Sequence, residues 1–550
     1  MSVTLEEMRD TRLSTLGGII KDRCVVKNSD TWMVSTTGAE CSWLIDMRQT
    51  LLDPFSLELI STLFWDEHER YLPFQLCGLE VSGIPLLVGL LHEARRRNLN
   101  VNGFIVRKER KQSGIGKIIE GKVTGERVLV VDDILNSAAS MEKIRVALEA
   151  HDLGIYRVFV IVDYEALGGG RWQRNNKIRV ASLFSLKYFE LSLRIAKPLS
   201  QNLFSNEWAF KCGEANHFHV VPKSSPKIAE DTVFFGSDRG SFWALDLPSG
   251  TPKWEFSIKT KNRKGIWSRP ATGDGVVYFG GYDGNLYCLS MMDGTEIWRW
   301  TGAEWIGSSP ILSSDRETLW IGLEYETMGS KGGVTAFNAK TGELLWSRRF
   351  PEYVHATPAV CESLGLLYIG TNSGELHCLD AYSGETRWFY KTGGAVKEAA
   401  AIDEGRGFIG FGSFDGAVRI LNLQDGDLLF EYGTGHEIYS TPLFTDRDMV
   451  VSSTDKALHL FSLDDGSHAQ LDLGSKSVSS PVLIDDSIFV GSNSGAILEI
   501  DQFTSRIIGR HQLLDAVTSR ISFCKKRKLF IAQTAMNEVT AFRREEFRGT

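Results

Sequence analysis

The sequence predicts two domains of different class: an α/β domain with a mostly parallel sheet over residues 1–200, and an all-β propeller, most simply with eight blades, over residues 223–546. A linker and ring-closing strand are expected between them at 201–222. Three observations carry this. The first 200 residues alternate apolar strands with helical stretches, as a parallel sheet covered by helices requires. The second half repeats itself about every 40 residues in short strands and Gly turns, the grammar of propeller blades. Finally, "RVLVVDDILNSAAS" (127–140) is an apolar strand that runs into two adjacent carboxylates and a loop of small polar residues.

Composition sets the outer bounds. A chain of 550 residues with 43% apolar and 24% charged residues has ample material for two cores, and its net charge of -8 gives no global basic field for nucleic acid or anionic lipid. The start, "MSVTLEEMRDTRLSTLGG", is acidic and lacks a long apolar run, so neither a secretory signal nor a membrane anchor is expected. The eight cysteines are scattered without a CxxC pair, which fits a reduced, cytoplasmic chain better than a disulfide framework or a zinc site.

In the first domain "LLVGLLHEARRRN" (86–98) has helical spacing, "GFIVRKER" is a strand followed by a loop, and "RVLVVDD" is a buried strand. "SMEKIRVALEAHD" is again a helix and "RVFVIVDY" a strand. In such sheets ligands bind at the carboxyl ends of the strands, which is where Asp132 and Asp133 fall. Carboxylates there can accept hydrogen bonds from the vicinal hydroxyls of a sugar, and backbone N–H groups at the next helix N-terminus can hold a phosphate. The residues by themselves also allow a bland reading, in which one acid caps the sheet end and the other is solvated.

In the second domain four clear copies run from a Ser/Ala-x-Pro turn to a Trp, as in "ATPAVCESLGLLYIGTNSGELHCLDAYSGETRW", and four weaker ones start near Glu398, Ser440, Ser479 and Ser519. The last copy lacks the Trp-bearing strand, and "NEWAFKCG" (206–213) supplies one ahead of the first copy. Closure by that strand would remove two exposed sheet edges. Seven blades is the fallback.

Stretches such as "LDAYSGETRW" and "FNAKTGELLW" resemble the blade ends of the pyrroloquinoline-quinone-type propeller family. Quinone enzymes of that family bring calcium ligands and often a vicinal cysteine pair, and no two cysteines here are adjacent, so the quinone is not an expected cofactor. The recurrent tryptophans are expected to pack between blades.

The first domain holds, in order across about 150 residues, "STTGAECSWLIDMR" (35–48), "CGLEVSGIPLL" (77–87), "VRKERKQSGIGKIIEG" (106–121), "VLVVDDILNSAAS", "VDYEALGG" and "ASLFSL". Motif by motif and in that order, these stretches resemble the orotate branch of the type I phosphoribosyltransferases. The resemblance implies displacement of pyrophosphate from phosphoribosyl diphosphate (PRPP) by a base nitrogen. It places PRPP against Asp132, Asp133, Asn136, Ser137, Ala138, Ala139, Ser140, Ser82 and Gly83, and assigns Arg107, Lys108 and Lys111 to the leaving diphosphate. Mg²⁺ is implied through PRPP, without direct protein ligands. The family's base-binding Arg falls at Tyr164, its phosphate-loop Thr and Gly at Asn136 and Ala138, its mobile-loop His at Ser113, and its pyrophosphate-loop Lys at Ser82.

The expected function is therefore that of a phosphoribosyltransferase-like enzyme using a base other than orotate, with a propeller that docks or senses a protein partner and a homodimer as a possible assembly. The lost positions leave open a regulatory module that binds PRPP or a nucleotide without chemistry. A quinone-dependent redox propeller is a third reading. Neither membrane nor nucleic-acid partners are indicated.

Overall fold

Six strands of the first domain form one sheet in the order Arg179–Ser185, Ile155–Asp163, Val128–Leu135, Gln75–Leu79, Gly103–Val106 and Ile119–Gly121. The first five are mutually parallel and the last is antiparallel to its neighbour. The structure is a computed structural model that describes all residues except 1–4, 28–32, 35–39, 42, 109–116, 137, 192–202, 214, 216–223, 260–263, 327 and 546–550. The chain divides into two units, Met1–Ser200 and Gln201–Thr550.

Gln75–Leu79 is buried along its whole length, and Val128–Leu135 is buried from Val128 to Asp132. Strands covered on both faces read as unbroken apolar runs, which is why "VLVV" shows no alternation. Leu76, Leu129 and Val131 from the sheet pack in one core with Phe64 of the helix Pro54–His68 and with Leu86 and Leu90 of the helix Gly83–Arg96. The first of these helices starts on an Asp53 cap that accepts from Ser56 N–H at 2.9 Å, with Pro54 at the first helical position, where its missing N–H costs nothing. The second begins three residues earlier than its expected start at Leu86, because Pro85 sits in the first turn, where proline is tolerated. No helix among the described residues is long and apolar enough to cross a membrane.

The second domain is a ring of eight four-stranded antiparallel sheets, so the eight-bladed expectation holds and seven does not. Blades one to seven are each made of four consecutive strands, whereas blade eight joins Phe204–Lys211 to Glu538–Arg544 at the other end of the chain. Arg527 of blade eight then forms two 2.9 Å bonds with Asp231 of blade one.

The repeat's own residues explain the ring. Five Gly turns, at Gly250, Gly294, Gly342, Gly384 and Gly426, each present a flat backbone surface on which the Trp of the preceding blade lies. A Cβ added at Gly250 (φ +71°) would meet the Trp208 ring at 2.5 Å, and Trp208 Nε1 donates to Leu247 O at 2.9 Å. Trp254 repeats this one blade on, over Gly294 and onto Met291 O. The serine at the start of the Ser-x-Pro turn is a buried staple. Ser308 Oγ accepts from Gly322 N–H in its own blade at 3.1 Å and donates to Ala356 O in the next at 2.8 Å.

Candidate active site of the first domain

The candidate site forms where one strand outruns its neighbour. Val128–Leu135 pairs with Gln75–Leu79 only as far as Val131, opposite Gly78, and then continues against Ile155–Asp163 with Asp132 opposite Val160 and Leu135 opposite Asp163. Both acids are therefore within the strand rather than beyond it. Their stretch is paired on one side only, because the neighbouring chain turns away after Leu79 into the loop that begins the helix Gly83–Arg96. A crevice where adjacent strands part company is the expected ligand position in a parallel sheet.

Asp132 is buried and Asp133 half-buried. Asp132 Oδ1 accepts from Ser82 Oγ at 3.1 Å and from Asp133 N–H at 3.0 Å, and Asp133 Oδ1 accepts from Ile134 N–H at 2.9 Å. Burial pushes the Asp132 carboxyl well above the usual carboxylate range, and the neighbouring Asp133 charge adds to the rise. Burial also raises Asp133, against the hydrogen bonds it accepts. Two adjacent acids in a poorly solvated crevice cannot both ionise freely, so the pair has a standing demand for protons, hydroxyl donors or a cation.

Close backbone approach holds the crevice together. A Cβ on Gly83 would lie 3.2 Å from Gly78 Cα and 3.3 Å from Val131 O, so the absence of a side chain lets the helix start rest directly on both strands. That approach brings Ser82 to Asp132. Beyond the acids, Ala138 takes a left-handed conformation (φ +63°, ψ +16°) just before the helix Ala139–Glu149. A non-glycine residue there is strained by roughly 1–2 kcal/mol, at the position where the resembled family carries Gly. Ala139 and Ser140 form the first turn of that helix, and a Cβ on Gly169 would meet Asn136 O at 2.8 Å, so the "LGGG" segment packs against this loop.

Arg107, which follows the strand Gly103–Val106, is held by two carboxylates: Glu120 at 2.9 Å and Glu80 at 3.4 Å. Lys108 is exposed. Lys111, Ser113 and Ser137 lie outside the described residues. Tyr164 is buried in the core, its ring edge-on to Trp43 with centroids 5.6 Å apart, and its N–H bonds to Leu135 O at 2.9 Å.

Sequence reasoning gave no site role to Glu80, Glu120, Asp46 or Arg48, although all four stand inside stretches that carry the family resemblance. Arg48 donates to both Asp46 oxygens at 2.7 and 2.8 Å, and its pKa is raised first by Asp46 and in smaller part by the charge of Asp133, which places it in the field of the acid pair. Among the described residues no cluster of three or more His, Cys, Asp and Glu side chains could hold a metal ion alone. Two carboxylates beside the crevice add negative charge that favours a hard cation held by a ligand's own oxygens, so the residues fit Mg²⁺ that arrives bound to a diphosphate and needs no protein ligand of its own.

Comparison with known proteins separates the two domains. The chain is 31% identical over 136 residues to the orotate phosphoribosyltransferase of Pyrococcus abyssi (strain GE5 / Orsay), which covers 24% of this chain and 71% of that protein. The family model described as outer membrane protein assembly factor BamB matches residues 205–321, 238–349 and 330–546. Among solved structures, BamB from Moraxella catarrhalis matches with a TM-score of 0.51 at 15% identity, covering 62% of this chain and 99% of that one. The quinohemoprotein alcohol dehydrogenase from Comamonas testosteroni matches with a TM-score of 0.51 at 13% identity, covering 63% of this chain and 78% of that one. At these identities the structural likeness is one of fold.

Proposed function

The chain belongs to the orotate phosphoribosyltransferase family over its first domain and to the BamB-type propeller family over its second, and on that premise we propose that it binds PRPP in the Asp132–Asp133 crevice and transfers its phosphoribosyl group to or from a base other than orotate. The observation that carries the reading is the acid pair, Asp132 buried and Asp133 half-buried, on the one-sided end of its strand and beside Ser82.

In this reading Asp132 and Asp133 accept hydrogen bonds from the ribose hydroxyls, which relieves the repulsion between them, and the amides at the start of the helix Ala139–Glu149 hold the 5′-phosphate. A base nitrogen attacks the anomeric carbon as the bond to pyrophosphate breaks, and the leaving oxygen takes the electron pair. Arg107 and Lys108, with Lys111 from the 109–116 segment, stabilise that charge. Mg²⁺, bound with the diphosphate, would supply further charge neutralisation. Orotate is disfavoured because Tyr164, at the family's carboxylate-pairing position, is an aromatic residue packed against Trp43 and offers no guanidinium. The propeller serves to dock or sense a partner.

Titration calorimetry of the full chain with PRPP and Mg²⁺ tests the binding, and pyrophosphate release across a panel of bases tests the transfer. We expect PRPP binding that is lost when both acids are changed to Asn, and release with at least one base; absence of PRPP binding refutes the proposal. A second reading, PRPP sensing without turnover, is favoured by the strained Ala138 and by the two carboxylates that occupy Arg107. Binding without release under every base would select it.

A further inference from the structure

The propeller carries its own internal reference, because each blade repeats the same turn and any blade that departs from it stands out. On the ring axis is a cavity of about 830 Å³, lined by the segment that enters the first strand of every blade. At the axial position of that segment six blades have Ser, Thr or Ala, and the other two have Arg269 (blade two) and Arg520 (blade eight). Lys227, the first strand residue of blade one, stands where the other seven blades have Ala, Ile, Leu, Val or Ser. Blades eight, one and two are consecutive, so the three cations share one wall.

The hydroxyls at this axial position have a structural task that the arginines give up. Ser309 Oγ accepts from Arg269 N–H at 2.9 Å, Thr357 Oγ1 from Ser309 N–H at 3.2 Å, Ser480 Oγ from Thr441 N–H at 3.0 Å, and Ser225 Oγ from Arg520 N–H at 3.0 Å. Each staples the preceding blade, and a guanidinium cannot accept such a bond. Among the described residues, the side chains of Lys227, Arg269 and Arg520 have no hydrogen-bond or ion-pair partner. Arg269 is pushed down to about 10 by burial and by Arg520, Lys227 is lowered by burial and by both arginines, and Arg520 is lowered by burial.

Blade five lies four steps from blade one, on the opposite wall, and there Glu398 fills the slot that is serine in six blades and alanine in one. Burial pushes its carboxyl up to about 8, so near neutral pH it supplies little counter-charge across the cavity. Three unpaired cations on one wall, at the expense of two inter-blade bonds, are a stability loss without structural return.

We propose that the axial cavity binds a compact organic anion with clustered oxyanion charge, a phosphate ester or a polycarboxylate, held by Lys227, Arg269 and Arg520. Guanidinium groups pair with either oxyanion in bidentate fashion, and the cavity is within the size range of small-molecule sites.

The test uses the full chain, titrated calorimetrically with pyrophosphate and with citrate at fixed ionic strength, as wild type and as the Arg269→Ser, Arg520→Ser double variant. Serine is the repeat's own residue at this position, so the double variant should unfold at an unchanged or higher temperature. It should also lose tenfold or more in affinity for at least one probe, and the affected probe identifies the oxyanion class. Pyrophosphate held by the first domain remains as a second site in both proteins and is not counted. Wild type that binds neither probe at the axial site, or a double variant that binds both as tightly as wild type, overturns the proposal. Should the double variant fail to fold, Lys227→Gln is read by the same criterion.

Discussion

Asp132→Asn should stabilise the first domain at neutral pH while weakening PRPP binding. Asn keeps an oxygen that can accept from Ser82 Oγ and Asp133 N–H, now at 3.1 and 3.0 Å, and removes a charge from a buried site. An unfolded Asp releases its proton near pH 3.9, whereas both acids of the folded pair hold theirs to higher pH. Between those limits the native state binds more protons than the unfolded chain, so stability is greatest at or below the unfolded value and falls as pH rises through the folded ones. The slope is about 1.4 kcal/mol per pH unit for each proton so held. The variant lacks one of these titrations and relieves the other, because Asp133 no longer faces a neighbouring charge. Its advantage over wild type should therefore be near zero around pH 4 and widen toward pH 7. Urea unfolding of the full chain, followed through the first-domain transition at several pH values, measures it. In parallel, loss of a charge-assisted bond to a ribose hydroxyl should cost about 1.5–3 kcal/mol, roughly ten- to hundredfold in PRPP affinity. A variant that is less stable at pH 7 than wild type, or a stability difference flat with pH, would refute the account of the acid pair.

Glu120→Gln removes the nearer of the two carboxylates on Arg107, a half-exposed pair worth about 0.2–1 kcal/mol, so PRPP or pyrophosphate affinity should rise by up to about fivefold in calorimetry. Ser308→Ala leaves the buried Gly322 N–H without its acceptor and Ala356 O without its donor, and should lower propeller stability by about 1–3 kcal/mol in denaturant unfolding.

Much of the architecture was legible because it is encoded locally and repeatedly. Glycine turns, Trp-bearing strands and the orphan strand at "NEWAFKCG" announce a closed ring of eight, since each blade restates the same pattern and the missing outer strand of the last copy has one counterpart in the chain. The acid pair was legible for a related reason: an apolar run that ends in "DD" before small polar residues marks a strand end in a parallel sheet. What was not legible depends on residues far apart in sequence. Glu80 and Glu120 lie on either side of Arg107 in the chain and meet it only because three elements converge at one edge of the crevice.

The sequence by itself determined the two fold classes, the ring-closing partner and the position of Asp132 and Asp133, because hydrophobic period and turn chemistry act over a few residues and need no distant partner. Only the tertiary structure decided that the acids share a one-sided strand end, that Tyr164 packs against Trp43, and that Lys227, Arg269 and Arg520, nearly 300 residues apart at the extremes, face one axial cavity. Charge and burial depend on distance through space, and chain separation does not specify that distance until the sheet and the ring have closed.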